Sequence, residues 1–405
     1  MSNENRNVPE LRFPGFEEEW KNFAFKDQII SIEKGTDLLG SEENTGVPLI
    51  KMGNIKRGYF SFNKLEKLKN GETIQKKYYI NKGDFLFNTR NTMELVGKSA
   101  TWTNESGKFV FNSNIARIVL KGIDTYFFNY LYNTSKMINK VKSLAVGTTS
   151  VAAIYPRDLN HLNYFLPSIS EQKKIGCFFS KLDRQIELEE QKLSLLEEQK
   201  KGYMQKIFSQ ELRFKDANGN DYPDWKKEKL DNILEFESER TKVENEYPVL
   251  TSSRNGLILQ SEYYKEGKTF ADSNIGYFII PKGYITYRSR SDDGKFQFNL
   301  NNIIDVGIVS KYYPVFRGIN MNQSFLTMLM NHQLKKEYIK FATGTSQLVL
   351  SQRNLREIST ELPITEEQEK IGNFFDKQNS LIEKQSNKVE LLKERKKGFL
   401  QKMFV

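Results

Sequence analysis

The stretch Leu195-Leu196-Glu197-Glu198-Gln199-Lys200-Lys201-Gly202-Tyr203-Met204-Gln205-Lys206-Ile207-Phe208 has a counterpart at the end of the chain. That counterpart is Leu391-Leu392-Lys393-Glu394-Arg395-Lys396-Lys397-Gly398-Phe399-Leu400-Gln401-Lys402-Met403-Phe404. The match extends without a gap over residues 166–208 and 362–404, and 22 of those 43 positions are identical. Similarity at a fixed offset marks an internal repeat, and a repeat decides the fold before any single element does. The two copies also begin alike. Leu11-Arg12-Phe13 followed by Trp20-Lys21 answers Leu212-Arg213-Phe214 followed by Trp225-Lys226. Between these anchors the halves diverge, so one duplicated frame carries two different inserts.

The repeated segment reads as a long helix. Ile175, Phe179, Leu182, Ile186, Leu193, Leu196, Tyr203 and Ile207 recur at steps of three and four, with polar gaps at Glu189 and Lys200. Ile371, Phe375, Ile382, Val389, Leu392, Phe399 and Met403 repeat the pattern. This is a coiled-coil seam with interruptions. Ser170-Glu171-Gln172 and Thr365-Glu366-Glu367-Gln368 look like helix starts, each with a hydroxyl cap and acids in the first turn. Pro167 and Pro363 precede them, where the chain is not yet helical. A helix over residues 170–208 would be roughly 58 Å long, which suits a strut. Parallel or antiparallel pairing of two such seams is open from the pattern alone. The antiparallel form, with its pseudo-twofold axis, is the one expected.

The fold class expected is α+β: two mixed α/β domains, each followed by a long helix, with the helices paired as an antiparallel coiled coil. Residues 1–10 form a polar tail, 11–167 the first domain, 168–208 the first helix, 209–364 the second domain and 365–405 the second helix. In the first domain 47–52, 84–87 and 114–120 read as strands and 126–145 as a helix. In the second, 248–250, 276–280, 284–287 and 307–310 read as strands and 323–342 as a helix. After each helix comes a glycine-hydroxyl loop, Gly147-Thr148-Thr149-Ser150 and Gly344-Thr345-Ser346-Gln347.

Composition narrows the function. The chain of 405 residues is 38% hydrophobic and 13% aromatic, enough for packed cores. Its net charge of +10 is a mild bias toward a polyanion. One cysteine, Cys177, allows no internal disulfide and fits a reducing compartment. His161 and His332 lie in separate halves and supply no zinc set. The polar start lacks the apolar core of a signal peptide, and no run approaches 18 apolar residues. A soluble cytoplasmic protein is expected. Gly97-Lys98-Ser99 imitates the end of a phosphate loop, but Thr92 stands where its first glycine belongs. No dinucleotide fingerprint or amino-methyltransferase motif is present, and no nuclease pair follows Pro223-Asp224. The chain is not expected to be an enzyme.

Nucleic-acid binding has better support. Phosphate contact needs cations and hydroxyls; base reading needs Arg, Lys, Asn and Gln at groove edges. The helices carry little of the basic surplus, which lies mainly in the domains and tails. Loop clusters there nominate Arg57, Arg90, Lys98, Arg254, Arg288 and Arg290 as DNA-facing. A second set is Asn54, Asn88, Ser252, Ser253, Lys295, Thr148, Thr149, Thr345 and Ser346. No metal ligand or catalytic residue is nominated.

With these residues in view, the chain resembles the specificity subunits of type I restriction-modification systems. The resemblance spans about residues 9–404. It rests on Leu11-Arg12-Phe13-Pro14-Gly15-Phe16 before Trp20, and on Gly83-Asp84-Phe85-Leu86 with Val96-Gly97-Lys98. It rests also on Leu166-Pro167 then Glu171-Gln172 and Lys174-Ile175-Gly176, and on Leu362-Pro363 then Glu367-Gln368 and Lys370-Ile371-Gly372. Tyr247-Pro248-Val249-Leu250-Thr251-Ser252, Gly283-Tyr284-Ile285-Thr286-Tyr287-Arg288 and Gly307-Ile308-Val309-Ser310 add to it. The resemblance implies a non-catalytic subunit that reads a bipartite double-stranded DNA site, one half per domain, with the helices as a ruler. It implies two modification (methyltransferase) subunits and restriction (translocase and nuclease) subunits as partners. S-adenosylmethionine, ATP and Mg are expected on those partners and no cofactor on this chain. The alternative reading is a coiled-coil protein adaptor without sequence-specific DNA binding.

Overall fold

The computed structural model describes residues 7–254, 256–263 and 273–405. Backbone contacts divide the chain into two units: Met1–Glu190 with Asn387–Val405, and Gln191–Ser386. Asn255 of the second unit's nominated loop lies outside the described residues.

The two units share one architecture. In the first, a four-stranded antiparallel sheet runs in the order Ile29–Lys34, Ile115–Leu120, Phe85–Asn88, Ser99–Thr101. In the second, Leu234–Phe236, Val315–Gly318, Ile285–Tyr287 and Phe298–Leu300 take the same order. These strands are short, β-branched and aromatic, as half-buried sheets require. A separate two-stranded ladder ties the start of each domain to the residues just before its long helix. Lys21–Ala24 pairs with Asn163–Leu166, and Lys226–Lys229 with Ser359–Leu362.

The single helix expected over 126–145 is two, Thr125–Tyr132 and Ser135–Lys142. The break has a local cause. The Thr134 hydroxyl accepts from Met137 N as a new N-cap, and the Asn133 amide donates to Asn129 O. The helix expected over 323–342 likewise divides into Gln323–His332 and Lys335–Phe341.

Aromatic packing dominates both cores. In the first unit Trp20, Phe25, Phe85, Phe127, Phe128, Tyr164 and Phe179 are buried together. Edge-on contacts such as Trp20–Phe127, with ring centroids 5.8 Å apart, recur through it. In the second, Phe298, Phe316, Phe325, Leu329 and Tyr338 play this part.

The repeated segments are helices Ile169–Phe208 and Thr365–Lys402. Within the first unit the start of one lies antiparallel to the end of the other. Asp183 pairs with Lys396 at 2.5 Å and Glu189 with Lys388 at 2.5 Å, so one number rises as its partner's falls. Leu182, Ile186, Leu392 and Phe399 fill the seam between them. Glu189, a polar gap in the pattern, is therefore an ion-pair position. Within the second unit Tyr203 meets Phe374 edge-on at 5.2 Å, and Ile207, Phe208, Ile371 and Phe375 share the core.

The doubled Glu-Gln and Ile-Gly motifs work inside each unit. Arg12 holds the buried Glu171 through two hydrogen bonds of 2.7 Å, and Arg213 holds Glu367 at 3.2 and 2.7 Å. Gln172 donates to Pro167 O and accepts from Asp124 N, stitching the long helix to the domain helix it abuts. Gln368 does the same with Pro363 O and Asn322 N. Gly176 and Gly372 permit that close crossing. A Cβ at Gly176 would stand 2.8 Å from Phe127 N, and one at Gly372 only 2.3 Å from Asn322 Oδ1. In the second unit Leu212 N bonds Lys206 O at 3.0 Å where the helix runs directly on into the next domain. In the first unit the same bond is made through space, Leu11 N to Lys402 O at 2.9 Å.

Candidate nucleic-acid interface

Each domain builds its exposed polar loops on a small sheet. In the first unit Arg90–Asn91 pairs with Ala152–Ala153, which pairs with Val146–Gly147. Arg90 stands opposite Ala153. In the second unit Arg290–Ser291 pairs with Leu348–Val349, with Arg290 opposite Val349 and a further bridge from Val349 to Thr343. The glycine-hydroxyl loops are the hairpin tips of these sheets. Gly147 has φ +132° and Gly344 φ +111°, and a Cβ would meet Val151 O at 2.3 Å or Gln347 O at 2.2 Å. Only glycine closes such a turn without moving the backbone.

In the first unit the loop 91–98 gathers segments that are remote in sequence. Met93 N donates to Thr149 O, and the Arg57 guanidinium donates to Glu94 O at 3.2 Å. Burial, then the nearby Lys56 and Arg57 charges, lower the Lys98 pKa, while Glu94 acts the other way. Burial also lowers the pKa of Arg57, which Tyr132 and Glu94 oppose. Arg57, Lys98 and Lys56 thus form one cationic cluster. Lys56 was not nominated from the sequence, although Asn54-Ile55-Lys56-Arg57 already carried the signal. Arg90, Thr148 and Thr149 are exposed on the adjoining sheet.

Two nominees of this unit serve the fold instead. Asn54 is buried; its Oδ1 accepts from Lys51 N and its amide donates to Ser61 O. Asn88 is fully buried and donates to Met52 O. Neither side chain lies at the surface: both amide atoms of Asn54 are taken by main-chain bonds, and the Asn88 Oδ1 is buried without a hydrogen-bond partner among the described residues.

In the second unit Asp293 is the organiser. Arg254, at the tip of the hairpin Leu250–Ser253 and Gly256–Leu259, donates to it at 2.8 Å. Lys295 lies 3.7 Å away and the Ser291 hydroxyl donates at 3.0 Å. Partial desolvation works to raise the Asp293 pKa, but the Lys295 N–H, Ser291 and Arg254 outweigh it and hold it below its ordinary value. Gln347 donates to the neighbouring Asp292 at 2.8 Å, which ties the hairpin tip to the same loop. Arg288, Arg290, Thr345 and Ser346 are exposed. The Arg290 guanidinium lies 5.3 Å from the Tyr312 ring centroid. Ser252 is a correction: it is buried and accepts from Asn299 at 2.8 Å. Ser253 donates to Gly256 O and closes the hairpin.

Among the described residues no three His, Cys, Asp or Glu side chains converge as a metal cage. No helix among them is long and apolar enough to cross a membrane.

A family model described as the type I restriction modification DNA specificity domain matches residues 17–198 and again 222–391. The chain is 24% identical to a Methanocaldococcus jannaschii protein named as the type I restriction enzyme MjaX specificity subunit, over 94% of this chain and 92% of that one. It is 23% identical to the MjaVIII specificity subunit of the same organism, over 86% of each. Among solved structures, the S subunit of the type I restriction-modification system from M. genitalium superposes with a TM-score of 0.61 at 17% identity, covering 98% of this chain and 99% of the other. That likeness supports the fold, and the doubled family match accounts for the duplication. The chain belongs to the type I restriction-modification DNA specificity family and carries two copies of its DNA specificity domain.

Proposed function

We propose that each domain reads one half of a bipartite DNA site and that the chain directs adenine methylation and restriction by partner subunits, with no chemistry of its own. The observation that carries this reading is the doubled DNA specificity domain, each copy presenting a cationic, hydroxyl-bearing loop set on the same small sheet. Base pairs are distinguishable in the major groove, so the reading loops belong there. Arg57, Lys98 and Arg90 with Thr148 and Thr149 would face one half-site. Arg254, Arg288, Arg290 and Lys295 with Thr345 and Ser346 would face the other. Asn54, Asn88 and Ser252 would hold those loops in shape from beneath. Two modification subunits would bring S-adenosylmethionine, and restriction subunits ATP and Mg, in the cytoplasm where the DNA lies.

The test is base-level methylation mapping of cells with and without this chain. A bipartite methyl-adenine motif that disappears with the chain is expected. A second strain in which residues 8–167 are replaced by another family member's first domain should change one half of that motif. A motif that survives loss of the chain, or a swap that alters both halves or neither, refutes the reading. An adaptor would leave the motif untouched.

A further inference from the structure

The two domains differ over most of their exposed loops, yet two cations keep their place. Residues 82–91 align with 282–291 without a gap, and within them Lys82/Lys282, Gly83/Gly283 and Arg90/Arg290 are identical; of the two cation pairs, Lys282 is taken up by Asp305 at 3.6 Å. The alignment is structural as well. Gly83 N donates to Trp102 O and Gly283 N to Asn301 O, both at 2.8 Å. The Thr89 hydroxyl donates to Asn114 O at 2.9 Å, and the Ser289 hydroxyl to Tyr312 O at 2.8 Å. Ile154 N donates to Thr89 O at 3.0 Å, and Leu350 N to Ser289 O at 2.9 Å. One residue further along, each arginine points from the same strand, paired across from the residue just before Ile154 or Leu350. The loop that closes each small sheet begins with the same pair, Gly147-Thr148 and Gly344-Thr345.

The neighbours of this frame are not shared. Asn88 is buried where Arg288 is exposed, and Asn114 stands where Tyr312 lies beside Arg290. The cationic clusters differ too: Lys56, Arg57 and Lys98 in one unit, Arg254 and Lys295 around Asp293 in the other. Both arginines are exposed, and among the described residues neither guanidinium has an ion-pair partner.

Resting on the recognition reading above, we infer that Arg90 and Arg290 are equivalent phosphate anchors, seating each domain on the duplex backbone, while base selection falls to the side chains that differ. The logic is chemical. Two half-sites that differ in sequence present different base edges, but every duplex presents the same phosphates. A side chain kept through the divergence of two readers suits the common feature; one that changed with them suits the variable feature. Phosphate contacts fix register and carry no sequence information. An exposed arginine guanidinium has the donors for that contact.

The experiment uses the full chain assembled with its modification subunits, and fluorescence anisotropy on two duplexes, one with the mapped site and one with both halves scrambled. Arg90→Ala and Arg290→Ala are each expected to weaken binding by the same factor on both duplexes. The slope of log affinity against log salt should fall by roughly 1 for each, and roughly 2 for the pair. The methylation motif should be unchanged in cells carrying either variant, and Arg90→Lys should restore the wild-type slope. The inference is overturned if either Ala variant relaxes a base position of the motif, or if the slope does not move. A wild-type complex that binds both duplexes alike would instead overturn the recognition reading itself. Both arginines are exposed on paired strands, so loss of folding does not confuse the result.

Discussion

Removal of Arg12 should damage its unit more than removal of Arg213 damages the other, although the two arginines hold the same position in the repeat. Glu171 is only 1% exposed and, among the described residues, receives its two side-chain hydrogen bonds from Arg12 alone. Trp20 Nε1, which holds the place of Trp225 Nε1 in the repeat, has no hydrogen-bond partner among the described residues. Glu367, equally buried, accepts from Arg213 and also from Trp225 Nε1 at 3.2 Å. Arg12→Ala therefore strands a buried carboxylate, at a cost of ~3–5 kcal/mol. The helix dipole at the first turn returns only ~0.5 kcal/mol. Arg213→Ala leaves one charge-assisted donor, worth ~1.5–3 kcal/mol, so its cost should be ~1–3 kcal/mol. Hydrogen exchange on the full chain reads the two helix starts separately. Protection at 172–180 should fall about a hundredfold or more in Arg12→Ala, against roughly tenfold at 368–376 in Arg213→Ala, since ~1.4 kcal/mol is a factor of ten. The double variant Arg12→Met with Glu171→Leu should recover most of the loss, because an apolar pair replaces a buried ion pair at little cost. Equal losses at the two sites, or a larger one for Arg213→Ala, would refute the assignment of Trp225 as the second support.

The helix glycines give a sign reversal. Gly202→Ala and Gly398→Ala meet nothing within 4 Å and should raise the unfolding free energy measured in urea by ~0.5–1 kcal/mol. Gly176→Ala and Gly372→Ala push a methyl into the domain helix start and should cost ~1–3 kcal/mol, with Gly372 the worse. Phe404→Ala removes ring contacts to Trp20, Phe127 and Phe179 and should cost roughly 2 kcal/mol, seen as faster exchange at 125–132. His332 has its pKa lowered by burial and by Lys335. The unfolded chain then binds the proton more readily, so the second unit should lose stability as pH falls through 6.5, the ordinary His value, and level off below the folded pKa. His332→Gln should flatten that dependence in urea unfolding between pH 7.5 and 5.

The frame was legible because duplication states it twice. A seam with apolar steps of three and four can be read from one copy, but the match of 362–404 to 166–208 made it certain where the helix begins and ends. What the pattern did not show was its break points elsewhere. The helices after Asp124 and Asn322 each stop and restart, because Thr134 offers a cap in one and the chain turns at Gln333-Leu334 in the other. Hydrophobic periodicity continues across such a break, so only the local side-chain bonds reveal it. The seam gap at Glu189 was visible as a gap, while its purpose needed Lys388, some two hundred residues away in sequence.

The site was legible by residue type and not by burial. Arg90, Arg254, Arg288, Arg290, Lys295 and the Thr nominees came out exposed, while Arg57 and Lys98 are half-buried, because long or charged side chains are rarely taken fully into a core. Asn54, Asn88 and Ser252 look alike in sequence, since Asn and Ser serve turns as readily as they serve bases. Each is buried and makes a main-chain or side-chain hydrogen bond beneath the loops. The same separation explains how one frame tolerates two specificities. Arg12, Glu171, Gln172 and Gly176 are locked to one another and to the helix they cross, as are Arg213, Glu367, Gln368 and Gly372. A change at any of these is felt in the core. Among the described residues the hairpin tips and the loops around Asp293 and Glu94 take part in none of these hydrogen bonds, so their side chains can change without loosening that network. Divergence then collects where it costs least stability.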